Sequence, residues 1–314
     1  MKALFINKLL KIAAIALIAL CLNVSIPFLF KTSAAEEASN RGVSAYNRGD
    51  FEGALELYSQ AIKIDPNLAG AYNNRGVAYY NLGDISRAIA DYNQAIKIDP
   101  NDADVYNNRG LAYENLGDHN KAIADFNQAI KIDPNLALVY NNRGLAYYNL
   151  GDYSKAIADY TQTIKIAPNL ANAYNNRGFV YYKLGDTSKA IADYNQAIKI
   201  DPNLALAYNN RGLAYKNLGD TSKEIADYNQ AIKINSGYAF AYYNRGLAYA
   251  NLGDYSKAIA DYTQAIKIDP NLVNAYNNRG NAYGKLGDLK NAAKDARKAC
   301  ELGDCKLFAI YGRK

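Results

Sequence analysis

The chain is 314 residues long and contains 29 Tyr and 8 Phe but no Trp, one Met and one His. A single His and three Cys exclude a site built from several His or Cys ligands, and no glycine-rich phosphate loop is present. Composition therefore argues against an enzyme and points to no cofactor and no metal. The formal charge is +6, yet four of the 36 basic residues (Lys2, Lys8, Lys11, Lys31) and none of the 30 acidic ones precede Glu36, which leaves the rest near neutral. Charge gives no reason to expect nucleic acid or another polyanion as partner.

Residues 1–35 read as an export signal: a basic stretch ending at Lys11, an uncharged run from Ile12 to Phe30, and the small residues Ser33-Ala34-Ala35 where a signal peptidase cuts. That run is longer than an ordinary signal core and approaches a bilayer span, so an uncleaved anchor at residues 12–30 is the alternative. Lys2, Lys8 and Lys11 favour a cytoplasmic N-terminus, which puts the bulk of the chain across the membrane, in a periplasm or its equivalent. Contact with the membrane is expected only through this segment, and only if it stays uncleaved.

From residue 35 the sequence repeats with a period of thirty-four, most visibly as Tyr72-Asn73-Asn74-Arg75-Gly76 and its copies at Tyr106, Tyr140, Tyr174 and Tyr208. Each repeat reads as two helices. Tyr72, Gly76 and Tyr79 share one face of a first helix, and Ala88, Tyr92 and Ala95 share one face of a second. Gly83 ends the first helix, Asp84 caps the second, and Asp99-Pro100-Asn101 stops it. The boundaries fall at about 35–68, 69–102, 103–136, 137–170, 171–204, 205–238, 239–272 and 273–304, with a tail at 305–314.

Period and residue identities together are similar to the tetratricopeptide repeat family. The resemblance implies an all-α solenoid, a right-handed superhelix of eight helix-turn-helix units whose first helices line the concave side. Two positions depart from the family pattern: Tyr72, Tyr140 and Tyr174 replace its Trp, and Arg75, Arg109 and Arg143 replace a Leu beside the core. Packing of the arginine stem, with the guanidinium paired to an acid such as Asp91, Asp125 or Asp159, is the expected resolution. The end repeats are degenerate, as solenoid caps are, with Ala38 and Ala45 in the first and Ala296 in the last. Glu224 in place of Ala and Ser236 in place of Pro lead us to expect the loosest junction between the sixth and seventh repeats. Leu307, Phe308, Ile310 and Tyr311 are expected to cover the last helix face.

One polar position recurs in every repeat: Asn40, Asn74, Asn108, Asn142, Asn176, Asn210, Asn244 and Asn278. Asn costs about half a kcal/mol relative to Ala inside a helix. Recent duplication would copy it without selection, but the first repeat retains Asn40 after losing both pattern tyrosines, while neighbours such as Gly70, Asp104 and Leu138 have drifted. By resemblance these residues match the asparagine ladder of O-GlcNAc transferase repeats, which clamps peptide main chains; an amide offers both a donor and an acceptor for that purpose. Tyr80, Tyr148 and Tyr182 lie one turn along the same face. Scattered Lys183, Lys216 and Lys285 do not compose the carboxylate clamp of chaperone-binding relatives.

His119 lacks a second His and reads as a turn residue. Cys300 and Cys305 flank the end of the last repeat, and export would permit a bridge between them; two free thiols are the alternative. The expected function is a non-catalytic scaffold holding an extended segment of a protein or peptide partner. An accessory or assembly subunit of an envelope or photosynthetic membrane complex is a second reading that sequence does not separate from the first. An RNA-binding helical repeat is a third, disfavoured by the Pro-terminated second helix and by export.

Overall fold

A computed structural model describes residues 26–312. Those residues form seventeen helices and no strand. The first sixteen pair as eight helix-turn-helix units, from α1 (Ile26–Asn47) with α2 (Phe51–Ile64) and α3 (Ala69–Asn81) with α4 (Ile85–Ile98), to α15 (Val273–Lys285) with α16 (Leu289–Glu301); a short α17 (Lys306–Tyr311) follows. The chain divides into two compact blocks, an N-terminal one ending at Asp152 and a C-terminal one starting at Tyr153. Of the leader expected at 1–35, residues 1–25 lie outside the described residues. Among the described residues no helix is long and apolar enough to cross a membrane.

The punctuation residues act as their chemistry requires. Gly83 takes φ +81°, which a side-chain-bearing residue resists, and so turns the chain out of α3. Asp84 then accepts the Arg87 backbone N–H at 3.0 Å, filling an orphan donor at the start of α4. At the other end the Asp99 carboxylate accepts the Asn101 N–H at 3.0 Å and closes the turn into the next repeat. Ala88, Tyr92 and Ala95 are fully buried on α4, and the Tyr92 ring lies against Gly76 of α3 so closely that a Cβ there would sit 2.6 Å from Cε1. The helix pair is thus a small-residue contact with a tyrosine ring filling the remaining space.

The unusual arginine is a clamp on three helices. Arg75 on α3 donates from Nε and Nη2 to both oxygens of Asp91 on α4, each at 2.7 Å. Its Nη1 reaches Ser59 Oγ of the preceding repeat at 3.0 Å, and the guanidinium lies 5.6 Å from the centre of the Tyr72 ring. Arg109 repeats this with Asp125, Asn93 and Tyr106. In the C-terminal block Arg211 does so with Asp227, Asn195 and Tyr208. Donating to the Asp91 carboxylate pushes the Arg75 pKa above its ordinary value, so the guanidinium stays charged although it is packed beside the core.

The junction expected to be loosest keeps the same local bonds. Tyr238 N–H donates to Asn235 O at 3.1 Å where Pro-bearing turns pair Leu204 with Asp201 at 3.2 Å, and Tyr228 and Ala231 remain fully buried. Asn235 supplies the turn-closing side chain, accepting the Gly237 N–H at 2.9 Å as Asp201 accepts the Asn203 N–H in a Pro-bearing turn. At the far end Leu307 of α17 is buried, within reach of Gly280 on α15, so the tail covers the last first-helix face as expected. Cys300 and Cys305 are joined as a disulfide between the end of α16 and the start of α17.

Candidate functional site

Two rows of side-chain hydrogen bonds run between consecutive first helices, each linking residues thirty-five apart. In the first row Asn108 Nδ2 donates to Asn73 Oδ1 and Asn142 Nδ2 to Asn107 Oδ1, both at 3.0 Å. In the C-terminal block Asn210 donates to Asn175 and Asn244 to Asn209, again at 3.0 Å, while Asn278 donates to the Tyr243 hydroxyl. Asn176 accepts from Asn175 at 3.3 Å. Asn74 and Asn40 make no side-chain hydrogen bond, and a small cleft of about 210 Å³ brings the two together with Glu36, Ser39 and Leu68.

These bonds change what the recurrent amides have left for a ligand. In Asn108, Asn142 and Asn244 one N–H is spent on the neighbouring repeat, whereas the Oδ1 acceptor is unspent. Asn210 is engaged in both directions, since it also accepts from Asn209 at 3.4 Å, and it is buried. Asn74 keeps donor and acceptor alike. The position is one row in sequence but several chemical states in space.

The second row was not foreseen. Asn81 Nδ2 donates to the Tyr46 hydroxyl at 2.8 Å, and Asn149 Nδ2 donates to Glu114 Oε2 at 3.1 Å. Glu114 Oε1 in turn meets His119 Nδ1 at 2.8 Å, so the lone His has a partner on its own repeat. The signal that would have found this row is the same spacing of thirty-five that defines the first.

Of the tyrosines, Tyr80 lines a cleft of about 180 Å³ together with Val77, Asn81, Tyr92, Asn108 and Leu111. Apolar walls from two consecutive first helices, a floor at Tyr92 and a polar rim at Asn81 and Asn108 suit one side chain and the adjoining main chain of a guest. Burial pushes the Tyr92 phenol above its ordinary 10.0, so it stays a neutral donor there. Tyr148 is half-buried on α7 (Ala137–Asn149). Tyr182 on α9 (Ala171–Lys183) stacks on Phe179 with centroids 6.4 Å apart. Cys300 and Cys305 lie away from these rows, at the C-terminal cap. Among the described residues no group of three or more His, Cys, Asp or Glu is placed to hold a metal.

Models described as TPR repeat match residues 44–83, 78–117, 144–185 and 180–219, and models described as tetratricopeptide repeat match 103–136, 126–158, 205–238, 239–272 and 261–294. The matches run without a gap from 44 to 294. The chain belongs to the tetratricopeptide repeat family. A tetratricopeptide repeat protein from Parabacteroides merdae is similar in structure, with a TM-score of 0.64, 20% identity, 80% of this chain covered and 99% of the other. A chain of the APC/C hetero-tetramer Cut9–Hcn1 also gives 0.64, at 17% identity over 87% of this chain and 54% of the other. PilF of Pseudomonas aeruginosa gives 0.61, at 18% identity over 71% and 98%. At these identities the likeness is one of fold. No curated protein matches the chain. This tetratricopeptide chain carries Arg beside the core and amides that bond from repeat to repeat.

Proposed function

We propose that this chain is a non-catalytic scaffold that holds an extended segment of a partner protein on the face of its first helices, beyond the cytoplasmic membrane. The observation that carries the reading is the cleft where Tyr80, Asn108, Val77 and Leu111 converge. Its apolar walls accept a side chain, and the unspent Asn108 acceptor stands ready for a main-chain N–H. Asn74, with its whole amide unspent, extends the same row by one repeat. One further feature supports the choice of this stretch over the C-terminal block: Asn73, Asn74, Asn107 and Asn108 are half-exposed, whereas Asn175, Asn209 and Asn210 are buried.

The test takes the partner that co-purifies with the intact exported protein and measures its affinity for a variant carrying Asn74→Ala, Tyr80→Ala and Asn108→Ala. Loss of two amide contacts and one apolar contact at about 1 kcal/mol each implies roughly a hundredfold weaker binding, with the fold retained. Unchanged affinity would move the binding surface off the first helices. Terminal sequencing of the mature protein tests the export half of the proposal, with a start at Ala35 or Glu36 as the expected result.

A further inference from the structure

Seven of the eight repeats place Ala at the point where the second helix crosses beneath the first-helix face, and Ala88, Ala122, Ala190 and Ala258 there are completely buried. The sixth repeat alone puts Glu224 at this point, with only 3% of its surface exposed. Space for it comes from two other changes. Tyr80, which packs against Ala88 and its neighbours in the second repeat, is replaced by Lys216 in the sixth and Ala250 in the seventh.

A carboxylate introduced in this way would be expected to find a partner, but Glu224 Oε1 is buried without any hydrogen bond. The Tyr228 hydroxyl, one turn along the same helix α12 (Thr221–Ile234), is buried and unbonded as well, and so is Tyr194 of the preceding repeat. Lys216 is the cation whose charge reaches Glu224, yet the two form no ion pair. Buried polar atoms are almost always satisfied, and each exception asks for a missing group. The register of the repeat says where that group enters. Tyr92, the counterpart of Tyr228, forms the floor of the cleft between the second and third repeats. Counted by whole repeats, Leu213, Lys216, Asn244 and Leu247 take the positions of Val77, Tyr80, Asn108 and Leu111, and Glu224 lies one turn before Tyr228.

We infer that these positions of the sixth and seventh repeats form a socket for a lysine or arginine side chain of the segment held on the first-helix face. The aliphatic stem lies between Leu213 and Leu247, and the cationic head meets the Glu224 carboxylate and the Tyr228 hydroxyl. A single carboxylate with neutral phenols supplies too few anionic ligands for a divalent cation. Ala at this site, as in the other repeats, leaves no buried charge to satisfy, so Glu224 costs stability in the empty protein that a bound cation restores.

The inference rests on the proposed groove function, and one selection separates the two. A random-peptide display library is selected on the full chain and on Glu224→Gln, with Glu224→Ala as a second variant should the amide disturb the fold. The wild-type chain is expected to enrich peptides with a basic residue at one fixed position, and those peptides are expected to bind either variant at least about tenfold more weakly, while both variants melt at or above the wild-type temperature. Enriched peptides without a basic residue, or basic peptides that bind wild type and variants equally, overturn the socket and leave the groove standing. Failure to enrich any peptide overturns the groove and the socket with it.

Discussion

The same five residues do different work in the two blocks. Tyr72-Asn73-Asn74-Arg75-Gly76 and Tyr208-Asn209-Asn210-Arg211-Gly212 are identical in sequence and both lie in first helices. In the N-terminal block the amides are half-exposed and no bond joins Asn107 to Asn108, so each inter-repeat link stands alone. In the C-terminal block they run on: Asn244 to Asn209 at 3.0 Å, Asn209 to Asn210 at 3.4 Å, Asn210 to Asn175 at 3.0 Å and Asn175 to Asn176 at 3.3 Å. The bulkier pair Phe179-Val180 stands one turn beyond this buried run, where the sixth repeat has Leu213-Ala214. A repeated motif therefore fixes which groups are present, and the packing around it decides whether they face a ligand or each other.

The largest expected effect concerns what the blocks share. Arg109→Leu and Arg211→Leu each strand a nearly buried carboxylate, Asp125 or Asp227, and each should cost about 3–5 kcal/mol in urea unfolding. Losses that differ severalfold between the two would show that the clamp is not a common frame. Next comes the contrast itself. Asn210→Ala removes a donor to Asn175 and an acceptor for Asn209, both buried, and should lose about 2 kcal/mol. Asn74→Ala breaks no bond and should gain about half a kcal/mol from helix propensity. Equal effects on stability at the two positions would erase the distinction between a structural and an available amide.

The smallest effect lies in the pH dependence of the C-terminal block. Burial raises the Glu224 pKa above its ordinary 4.5, against the opposing charge of Lys216. The folded protein then holds this proton more tightly than the unfolded chain does. Its contribution to stability is full below pH 4.5 and is lost as pH rises through the raised value. Thermal melting of Glu224→Ala against wild type should show the variant gaining relative stability as pH increases from acid towards neutral. A difference that is constant with pH would mean that Glu224 does not change protonation on unfolding.

Much of this architecture is written in the sequence because one helix face repeats every few residues and one helix pair every thirty-four. Gly83, Asp84 and Asp99 mark the ends they in fact cap, and the pairing of Arg75 with Asp91 follows from the need to neutralise a charge beside the core. The amide rows were only half legible. Their positions stand out, but their bonding depends on the approach of helices in successive repeats, which no periodicity within one helix contains. The same gap hid Asn81 with Tyr46, and Asn149 with Glu114. The turn at Ser236 keeps its closing bond because Asn235 stands where the preceding repeat has Asp201, a substitution that preserves the acceptor.

The arginine clamp also bears on how such a chain can change over evolutionary time. Arg75 reaches back to Ser59, Arg109 to Asn93 and Arg143 to Asn127, always sixteen residues upstream and always to a small polar acceptor. Because every junction asks for the same fitting, excising the thirty-four residues 60–93 would set Arg109 sixteen residues after Ser59 with the bond still available. Recombination between near-identical gene segments would then yield shorter or longer proteins that fold at once, and reach along a partner would become a quantity that selection can adjust one module at a time.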